Sequence, residues 1–440
     1  MRPVYLVLKF VLKYTLWMFY PRLRIVNKPK KRFARTIFAS NHAASFMDPL
    51  VVAGNQSPIV FFMTRSDVFT PLLKPILWAA HMLPIYRLQD GEDTKAKNEE
   101  VFQKCNKILK YGRNLLIFSE GFTDDVFIRR LKPVKKGAVR IGFGALESMN
   151  WEKEIFIQAL GVNYSDPNVF GSDVIISNAD PICLNDYRKE YEENATKVVN
   201  ELTKRVEIEM QEQLTYIQNI KWTNFHEQVM RLTRKGMNAI DYDKSIPLLR
   251  RWEYSRSLAN WMNERELDTN EELIGLKAKL ESYFITLDQQ GVTEKELITL
   301  NNNDFRPVSD IAFFVFGAPL MVIGLIHNYL PYSWVKSFVE KSFKRKVFWS
   351  SVKMLFGALA IGIYNILFVS IMNIFVFPAF WFWVIYFFVV PPLSGVLAYS
   401  YFKRVARYKR IQLLKEKQFS GIYADRENCL KEIKRLIPVA

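Results

Sequence analysis

The sequence predicts an α/β fold in its first half, a sheet flanked by helices, followed by an α-helical appendage and a C-terminal hydrophobic helical region. Between residues 36 and 182, short β-rich runs alternate with helical stretches, as in sheets whose faces are covered by helices. After residue 182 charged helical sequence takes over, and from residue 307 long stretches are nearly free of charge.

Six runs within residues 36–182 are rich in apolar and β-branched residues, and several are apolar throughout, which is typical of strands buried on both faces. The predicted strands are RTIFAS, SPIVFFMTR, LPIYRL, NLLIFSE, IFIQALGVNY and DVIISNADPI. The predicted helices between them are TPLLKPILWAAH, DTKAKNEEVFQKCNKILKYG and VKKGAVRIGFGALES. This alternation indicates the fold class but not the order of the strands.

Composition narrows the classes of function. The chain has 440 residues, enough for two or three domains, and a formal net charge of +17. A basic excess suits nucleic acid, an anionic membrane surface or an anionic substrate. The sequence has no recognisable nucleic-acid motif, and its basic residues cluster beside apolar stretches, which favours the membrane. Three widely spaced cysteines indicate neither a disulfide framework nor a metal site, so we expect a reducing compartment.

Residues 1–35 are predicted to associate with a membrane. Lys9 and Lys13 interrupt the apolar run one helical turn apart, and no small-residue cleavage site follows, so the segment is not a signal peptide. Apolar residues cover most of the remaining helix surface, which is typical of an amphipathic helix in the membrane interface. The basic run from Arg22 to Arg35 would then meet lipid headgroups. The alternative is a buried helix of a soluble domain.

Three segments follow the α/β domain of residues 36–182. Residues 183–306 show apolar residues every three or four positions, which predicts a helical appendage with no chemistry of its own. His226 lies in this appendage and is expected to be structural or exposed. Residues 307–402 form the hydrophobic membrane region, and residues 403–440 form a basic cytoplasmic tail.

Three stretches of the hydrophobic region are nearly free of charge. Those at 354–377 and 379–402 are long enough to cross the hydrocarbon core, which takes about 20 residues. The basic sequences that follow the first and third stretches are expected on the cytoplasmic side. Residues 311–330 contain one proline and two glycines, so we predict a broken re-entrant segment there, followed by two transmembrane helices.

The stretch FASNHAASFMDPLVV holds a candidate catalytic pair, His42 and Asp48, between a predicted strand and a predicted helix. Asp48 followed by Pro49 is also an ordinary helix start, with Ser45 in the capping-box position. Residues six positions apart on one helix do not share a face. The pair can therefore meet only if the intervening residues form a turn and the helix begins at Asp48.

Other polar residues follow predicted strands, where α/β sheets collect their sites. Glu120 and Gly121 come directly after the strand NLLIFS, and Lys135 begins a helix whose N-terminus can receive an anion. Arg87 ends another strand, and arginine suits bidentate recognition of phosphate. The alternatives are an ordinary turn at Glu120-Gly121 and a solvated side chain at Arg87.

Taken in order, these features resemble the glycerolipid acyltransferases, which include the glycerol-3-phosphate and lysophosphatidate acyltransferases. The resemblance rests on Asn41-His42 with Asp48-Pro49, a strand-end arginine, Phe-x-Glu-Gly at residues 118–121, a Lys-x-Gly-Ala helix start and a GVNY strand. It covers residues 36–182 and implies the mixed sheet of the acyltransferase type.

The sequence departs from the family pattern at three places. Most members have four residues between the histidine and the aspartate, and the five found here match a longer variant of some glycerol-3-phosphate-type members. Ser119 replaces the proline of the third motif, and Phe-Thr-Asp at residues 122–124 replaces its Thr-Arg-Ser. Ala159 replaces the proline of the fourth motif. The third motif lies beside the acceptor's phosphate in the family, so these changes leave the acceptor open.

The resemblance implies roles for individual residues. His42 would act as general base on an acceptor hydroxyl that attacks an acyl thioester, and Asp48 would hold the imidazole and stabilise its charged form. The residues implied around the acceptor headgroup are Arg87, Glu120, Gly121 and Lys135, with the two cations on its phosphate. Asn41 and Ser45 are implied to shape the turn that carries His42. No metal or redox cofactor is implied, and the acyl donor is acyl-CoA or an acyl-carrier protein.

We therefore predict a membrane-bound O-acyltransferase of phospholipid biosynthesis that acylates glycerol-3-phosphate at the cytoplasmic face of a bacterial inner membrane or an endoplasmic-reticulum-type membrane. Its expected partners are the thioester donor, the acceptor and membrane lipids, and not nucleic acid. Lysophosphatidate or another lyso-lipid is the alternative acceptor. An inactive membrane scaffold with the acyltransferase fold is the alternative from a different class, and the retained His42, Asp48 and Glu120 count against it.

Overall fold

The structure, a computed structural model, describes residues 2–29, 33–55, 60–71, 74–86, 94–415 and 419–439. The chain forms two compact units, Met1–Ile220 and Lys221–Ala440. The described part of the first unit contains a sheet with flanking helices, and that of the second is helical. The predicted fold class is confirmed.

The described residues of the first unit form one sheet of eight strands. The strands are β1 (Arg22–Val26), β2 (Thr36–Ser40), β3 (Val60–Arg65), β4 (Met82–Ile85), β5 (Asn114–Phe118), β6 (Phe156–Tyr164), β7 (Asp173–Asn178) and β8 (Ile182–Cys183). Their order is β1-β7-β6-β2-β5-β3-β4, with β8 pairing to β6 beside this path. β6 runs antiparallel to β7 and β8, and the other pairs are parallel. All six predicted strands are present, the last divided into β7 and β8.

Helices cover the sheet because its central strands are mainly apolar and are buried along almost their whole length. Every residue of β2 and of β7 is buried, as is typical of strands packed on both faces. The helices of this unit are α1 (Arg2–Phe19), α2 (Met47–Asn55), α3 (Lys74–Ala79), α4 (Thr94–Lys110), α5 (Gly137–Ser148) and α6 (Arg188–Glu212). The three predicted helical stretches correspond to α3, α4 and α5.

Strand β1 corrects the predicted start of the domain. Arg22–Val26, expected as part of a basic segment at lipid headgroups, pairs in parallel with β7. Arg22 also forms an ion pair with the buried Asp173 of β7. The basic composition of this segment gave no indication of a strand, although its alternating residues Leu23 and Ile25 are partly buried in the structure. The sheet therefore begins before the predicted boundary at residue 36.

Helix α6 corrects the predicted end of the domain. Its residues Val198, Leu202, Val206 and Met210 are buried in the same core as the central strands. The boundary at residue 182 would separate this helix from the core that it covers, so residues 183–306 do not form one appendage. An amphipathic pattern shows that a helix has an apolar face, but it does not show which surface covers that face.

Helix α1 packs on α2 with one face and exposes the other. Leu16 lies so close to Gly54 that a Cβ there would be 2.7 Å from Leu16 Cδ1. The exposed face carries Leu6, Phe10 and Trp17, each more than half exposed. The alternative of a buried helix is therefore disfavoured, and membrane association of α1 stays a prediction that this exposed apolar face supports.

The second unit contains a helical bundle to which the end of the chain contributes. The bundle helices are α7 (Thr223–Thr233), α8 (Leu248–Asn263), α9 (Glu271–Gln290), α10 (Glu294–Asn301) and α14 (Ser420–Leu436). Helix α14 packs on α9 and α7, and its Arg426 forms a buried ion pair with Glu294. Residues 403–440 are therefore not a simple basic tail, because they supply part of the bundle core. His226 of α7 is buried and donates from Nε2 to Ser255 O at 2.9 Å, which makes it structural.

Three long apolar helices lie between α10 and α14. They are α11 (Pro307–Ser342), α12 (Trp349–Phe375) and α13 (Phe380–Leu414), and each is long and apolar enough to cross a membrane. The predicted re-entrant break at 311–330 is wrong, because α11 is continuous across that range, with Pro319 and Pro331 inside it. Gly324 serves close packing instead, since a Cβ there would lie 2.3 Å from Ser394 O of α13.

A polar cluster joins the three apolar helices. His327 of α11 places Nδ1 2.5 Å from Asn365 Oδ1 of α12 and Nε2 2.8 Å from the Tyr386 hydroxyl of α13. Asn365 also donates to His327 O at 3.0 Å. Hydrogen bonds of this kind fix the register of helices that otherwise meet through apolar side chains.

We expect Gly161→Ala to destabilise the first unit by about 1–3 kcal/mol. Gly161 of β6 lies against the chain just after α6, and a Cβ would be 2.2 Å from Gln213 O, so backbone would have to move. Thermal unfolding of the full chain in detergent micelles measures the loss. Gly137→Ala is the control, since a Cβ there meets nothing within 4 Å. Equal unfolding temperatures for the two variants would contradict the prediction.

Candidate active site

The carboxyl ends of three strands meet at the middle of the sheet. β2 lies between β5 and β6 and is parallel to both. Asn41-His42 after β2, Ser119-Glu120 after β5 and Tyr164 at the end of β6 therefore reach the same edge. In open α/β sheets this edge is where ligands bind. The fold thus brings together motifs that are far apart in the sequence.

His42 and Asp48 form a hydrogen-bonded pair. His42 Nδ1 lies 3.0 Å from Asp48 Oδ2, and the side chains are 20% and 0% exposed, respectively. The imidazole stacks on the Phe118 ring, with ring centroids 4.5 Å apart. A carboxylate only accepts hydrogen bonds, so Nδ1 carries the hydrogen and Nε2 remains available to take a proton. This is the arrangement of a general base held by an acid.

Asp48 accepts two further hydrogen bonds. The Ala44 N–H donates to Oδ2 at 2.8 Å, and the Tyr164 hydroxyl donates to Oδ1 at 2.9 Å. Burial, together with the charge of Asp48, raises the pKa of Tyr164 well above its ordinary value, so the phenol stays a donor. Three donors on a buried carboxylate hold its position. The sequence signals Tyr164 only as the last residue of GVNY, and no local pattern links it to Asp48.

Asn41 and Ser45 shape the turn that carries His42. The Asn41 side chain bonds the backbone of Val162 in β6 twice, accepting from N–H at 2.8 Å and donating to O at 3.1 Å. Ser45 has a φ of 52°, a left-handed conformation that turns the chain toward α2. The helix begins at Met47, one residue before the predicted start, and the Asp48 carboxylate reaches back to the turn. The turn that the dyad requires is present.

Glu120 links the His42 turn to the chain that follows β5. Its Oε1 accepts the His42 N–H at 2.5 Å, and its Oε2 accepts the Lys132 N–H at 3.1 Å. Burial raises the pKa of Glu120, and these backbone donors and nearby cations oppose that rise. Because backbone donors engage both oxygens, Glu120 acts here as a positioning residue. Its implied contact with the acceptor headgroup stays a prediction.

Gly121 makes room for Lys135. Its φ is +82°, and a Cβ there would lie 3.0 Å from Lys135 Nζ. The Lys135 N–H donates to Ser119 O at 2.9 Å, which keeps this lysine at the end of β5. Its implied contact with the phosphate of the acceptor stays a prediction. Arg87, the other predicted phosphate ligand, lies outside the described residues.

A second set of charges, not predicted from the sequence, lies close to Glu120. Asp124 accepts from Arg130 Nε at 2.9 Å and lies 3.2 Å from Lys132 Nζ. Burial raises the pKa of Asp124, but the hydrogen bonds from Arg130 and Lys132 outweigh it and lower the pKa below its ordinary value. The available signal was the basic run IRRLK shortly after Glu120-Gly121. Asp124 therefore neutralises part of the positive charge at this end of the sheet.

A small recess, open to solvent, lies against the His42 turn. Its lining includes Asn41, Ala43, Arg129, Arg130, Tyr164 and Thr215. The Arg129 guanidinium donates to Tyr164 O at 2.7 Å and to Ser165 O at 3.1 Å, so it supports the wall of the recess. The recess offers polar and aromatic surface next to the base.

Residues 22–147 match the sequence model of the acyltransferase family, and this range contains His42, Asp48 and Glu120. These residues form an acyltransferase domain. One similar solved structure is the 1-acyl-sn-glycerophosphate (LPA) acyltransferase PlsC from Thermotoga maritima, with 18% identity and a TM-score of 0.28, covering 44% of this chain and 79% of that one. No curated protein matches the chain.

The acyltransferase match and the sheet begin at the same residue, Arg22, which agrees with the corrected domain start. The acyltransferase also accommodates the five residues between His42 and Asp48 without losing the hydrogen bond between them. The left-handed conformation of Ser45 takes up the longer turn.

We expect Tyr164→Phe to lower the kcat of the acyltransferase about tenfold or more, since a hydrogen bond to a charged group contributes about 1.5–3 kcal/mol. Without the hydroxyl, Asp48 Oδ1 loses its donor, and the carboxylate that holds His42 is positioned less firmly. Steady-state rates with saturating substrates measure the loss of kcat.

Tyr20→Phe is the matched control for this substitution. Tyr20 is another fully buried tyrosine, but its hydroxyl donates to Pro167 O at 2.7 Å rather than to Asp48. The control should keep the kcat of the unmodified enzyme. A kcat that falls equally in both variants, or in neither, would show that Tyr164 has no specific action on the dyad.

Proposed function

We propose that this acyltransferase transfers a fatty acyl group from an acyl thioester to a hydroxyl of glycerol-3-phosphate. The observation that carries the proposal is the His42–Asp48 pair at the end of β2, with Asp48 buried and bonded to Ala44 N–H and Tyr164 OH. Such a pair supplies the base that a hydroxyl nucleophile needs. The proposed reaction uses no metal or redox cofactor.

The reaction proceeds through addition and elimination at the thioester carbonyl. The acceptor hydroxyl gives its proton to His42 Nε2 while its oxygen attacks the carbonyl carbon. The tetrahedral intermediate then breaks the carbon–sulfur bond, and the imidazolium returns the proton to the departing sulfur. An ester and a thiol are formed, and Asp48 stabilises the imidazolium between the two steps.

The charges near the dyad support an acceptor that carries phosphate. Lys135 stands beside Gly121, and Arg130 and Lys132 lie close to Glu120. Cationic side chains of this kind form short, charge-assisted hydrogen bonds to phosphate oxygens. The longer His42–Asp48 turn favours glycerol-3-phosphate, by its resemblance to that branch of the family.

Lysophosphatidate is the second candidate acceptor. The exposed apolar face of α1, with Leu6, Phe10 and Trp17, favours it, because a lipid acceptor must be taken from a membrane surface. Both candidates present a hydroxyl and a phosphate group, so the same base and the same cations would serve either.

We also propose that the enzyme acts at a membrane, with the catalytic unit on its cytoplasmic face. The long apolar helices α11, α12 and α13 are compatible with membrane integration. The free cysteines Cys105, Cys183 and Cys429 agree with a reducing compartment. The partners would be acyl-CoA or an acyl-carrier protein, the acceptor and membrane lipids.

Product analysis with the purified full chain tests the proposal. Isotope-labelled glycerol-3-phosphate and lysophosphatidate are supplied separately with acyl-CoA or acylated carrier protein, and the lipids formed are identified by mass spectrometry. We expect labelled lysophosphatidate from glycerol-3-phosphate, and none from His42→Ala protein. Acylation of lysophosphatidate alone would establish the second candidate. A folded protein that acylates neither acceptor would refute the proposal.

A further inference from the structure

The second unit carries a basic cluster, formed by Arg234, Lys244, Lys295 and Arg407, at one end of the apolar helices. Arg407 lies on α13, shortly after the apolar stretch that ends at Phe402. One turn earlier, Arg404 pairs with Asp310 in the first turn of α11. The basic cluster therefore lies where the apolar stretch of α11 begins and the apolar stretch of α13 ends.

Backbone contacts bring the members of the cluster together. The loop between α7 and α8 carries Lys244, and the Arg234 guanidinium donates to Tyr242 O of that loop at 3.3 Å. The Lys295 N–H donates to Asp241 Oδ1 of the same loop at 3.3 Å. These contacts link three of the four cations through one loop.

The fourth cation reaches the cluster through α13. Arg410, one turn after Arg407, pairs with Glu296 at 2.9 Å, and Glu296 is the neighbour of Lys295 in α10. Lys295 is half-buried, and its pKa is lowered by burial and by the charges of Lys244, Arg407 and Arg234. The other three cations are thus close enough to Lys295 to act on its charge.

The carboxylates near the cluster already have other partners. Asp243, which lies near Arg234, accepts two hydrogen bonds from Ser245. The remaining pairs are Asp241 with Arg231, Glu296 with Arg410 and Asp310 with Arg404. The positive charge of the cluster is therefore only partly neutralised.

Two buried donors in the cluster have no acceptor. The Nε atoms of Arg234 and Arg407 are buried, and neither has a hydrogen-bond partner among the described residues. Arg234 is also held at a φ of 59°, a left-handed conformation that is unfavourable for arginine, at the C-cap of α7. A buried donor without an acceptor is unfavourable, and an anion with several oxygens would supply the missing acceptors.

We propose that the basic cluster binds the phosphate group of an anionic lipid headgroup. The oxygens of one phosphate can accept from two guanidinium and two ammonium groups at once. The end of an apolar helix stretch is the depth at which lipid phosphates lie, and basic residues there recognise anionic lipids. The site belongs to the second unit and uses none of the residues around His42.

Native mass spectrometry of the full chain, released from micelles, tests the site. Phosphatidylglycerol and phosphatidylcholine with the same acyl chains are supplied at equal concentration, since neither is a substrate or product of the proposed reaction. We expect preferential retention of phosphatidylglycerol, reduced about tenfold or more in Arg407→Gln and Lys295→Gln. Lys409→Gln, an exposed lysine on the same helix, should retain the lipid. Lys244→Gln, also exposed, tests the site if Arg407→Gln does not fold.

The following results would overturn the proposal. Equal retention of the two lipids would remove the preference for a headgroup of net negative charge, since phosphatidylcholine also carries a phosphate group but is neutral overall. Equal losses in Arg407→Gln and Lys409→Gln would indicate general surface attraction instead of a site. A competition with inorganic phosphate distinguishes a lipid phosphate from free phosphate as the ligand. Displacement of the lipid by inorganic phosphate at equal concentration would assign the cluster to free phosphate and overturn the proposal. Retention of the lipid would support it.

Discussion

His42→Ala should abolish measurable acyl transfer, because the missing general base alone contributes about 10²–10⁴ in rate. Without Nε2, the acceptor hydroxyl has no positioned group to take its proton. Asp48 keeps Ala44 and Tyr164 as donors, and the His42 side chain is partly exposed, so we expect little change in unfolding temperature. The rate of thioester-dependent product formation and a thermal unfolding curve check the two expectations together.

His81→Asn is the control for this variant. His81 lies in the same unit, stacked between Tyr5 and Phe61 with ring centroids 4.2 and 4.1 Å away, respectively. Burial and the charge of Arg113 lower the pKa of His81 to about 4, so it is neutral at physiological pH. Its loss should reduce stability and leave turnover intact. Normal turnover of His42→Ala protein would refute the assignment of the base.

Asp48→Asn should lower kcat by about 10²–10⁴ while leaving the protein folded. An asparagine oxygen in place of Oδ2 can still accept from His42 Nδ1 and from Ala44 N–H. Its amide can donate to the Tyr164 oxygen, whose hydroxyl rotates. The substitution therefore removes the charge that stabilises the imidazolium and keeps the hydrogen-bond count. Steady-state rates and thermal unfolding in parallel measure the two effects.

Asp48→Ala provides the contrast. It leaves the donors on His42, Ala44 and Tyr164 without an acceptor in a buried site, at about 1–3 kcal/mol for each buried donor. We expect a much lower unfolding temperature for this variant than for Asp48→Asn. Turnover of Asp48→Asn within tenfold of the unmodified enzyme would show that the charge of Asp48 has little part in the reaction.

The fold was predictable from the sequence where local pattern and tertiary environment agree. The apolar strands that become β2, β5 and β6 are buried on both faces, so their composition alone identifies them. Strand β1 was missed because its register depends on pairing with β7, far away in the sequence. The prediction of a re-entrant segment was wrong because a glycine within a helical stretch suggests a break in the helix. In the structure Gly324 instead allows close packing of α11 on α13.

The site was predictable to the extent that its residues follow strands. His42, Glu120 and Lys135 could be found because the carboxyl ends of neighbouring parallel strands collect at one edge. Tyr164 and Asp124 could not be assigned their contacts, because these depend on strand order and on the path of the loop after β5. The positioning role of Glu120 likewise appears only when its two backbone partners are seen.

The packing of α14 on α9 limits how the apolar helices can be threaded through a membrane. Lys279 with Glu432 and Arg435 with Glu272 join the chain before α11 to the chain after α13. A bilayer cannot pass between two helices in contact, so if the apolar region is inserted in a membrane, both of its ends lie on the same side. The number of complete crossings would then be even. Membrane integration would therefore make at most two of the three apolar helices full crossings, a parity imposed by α14.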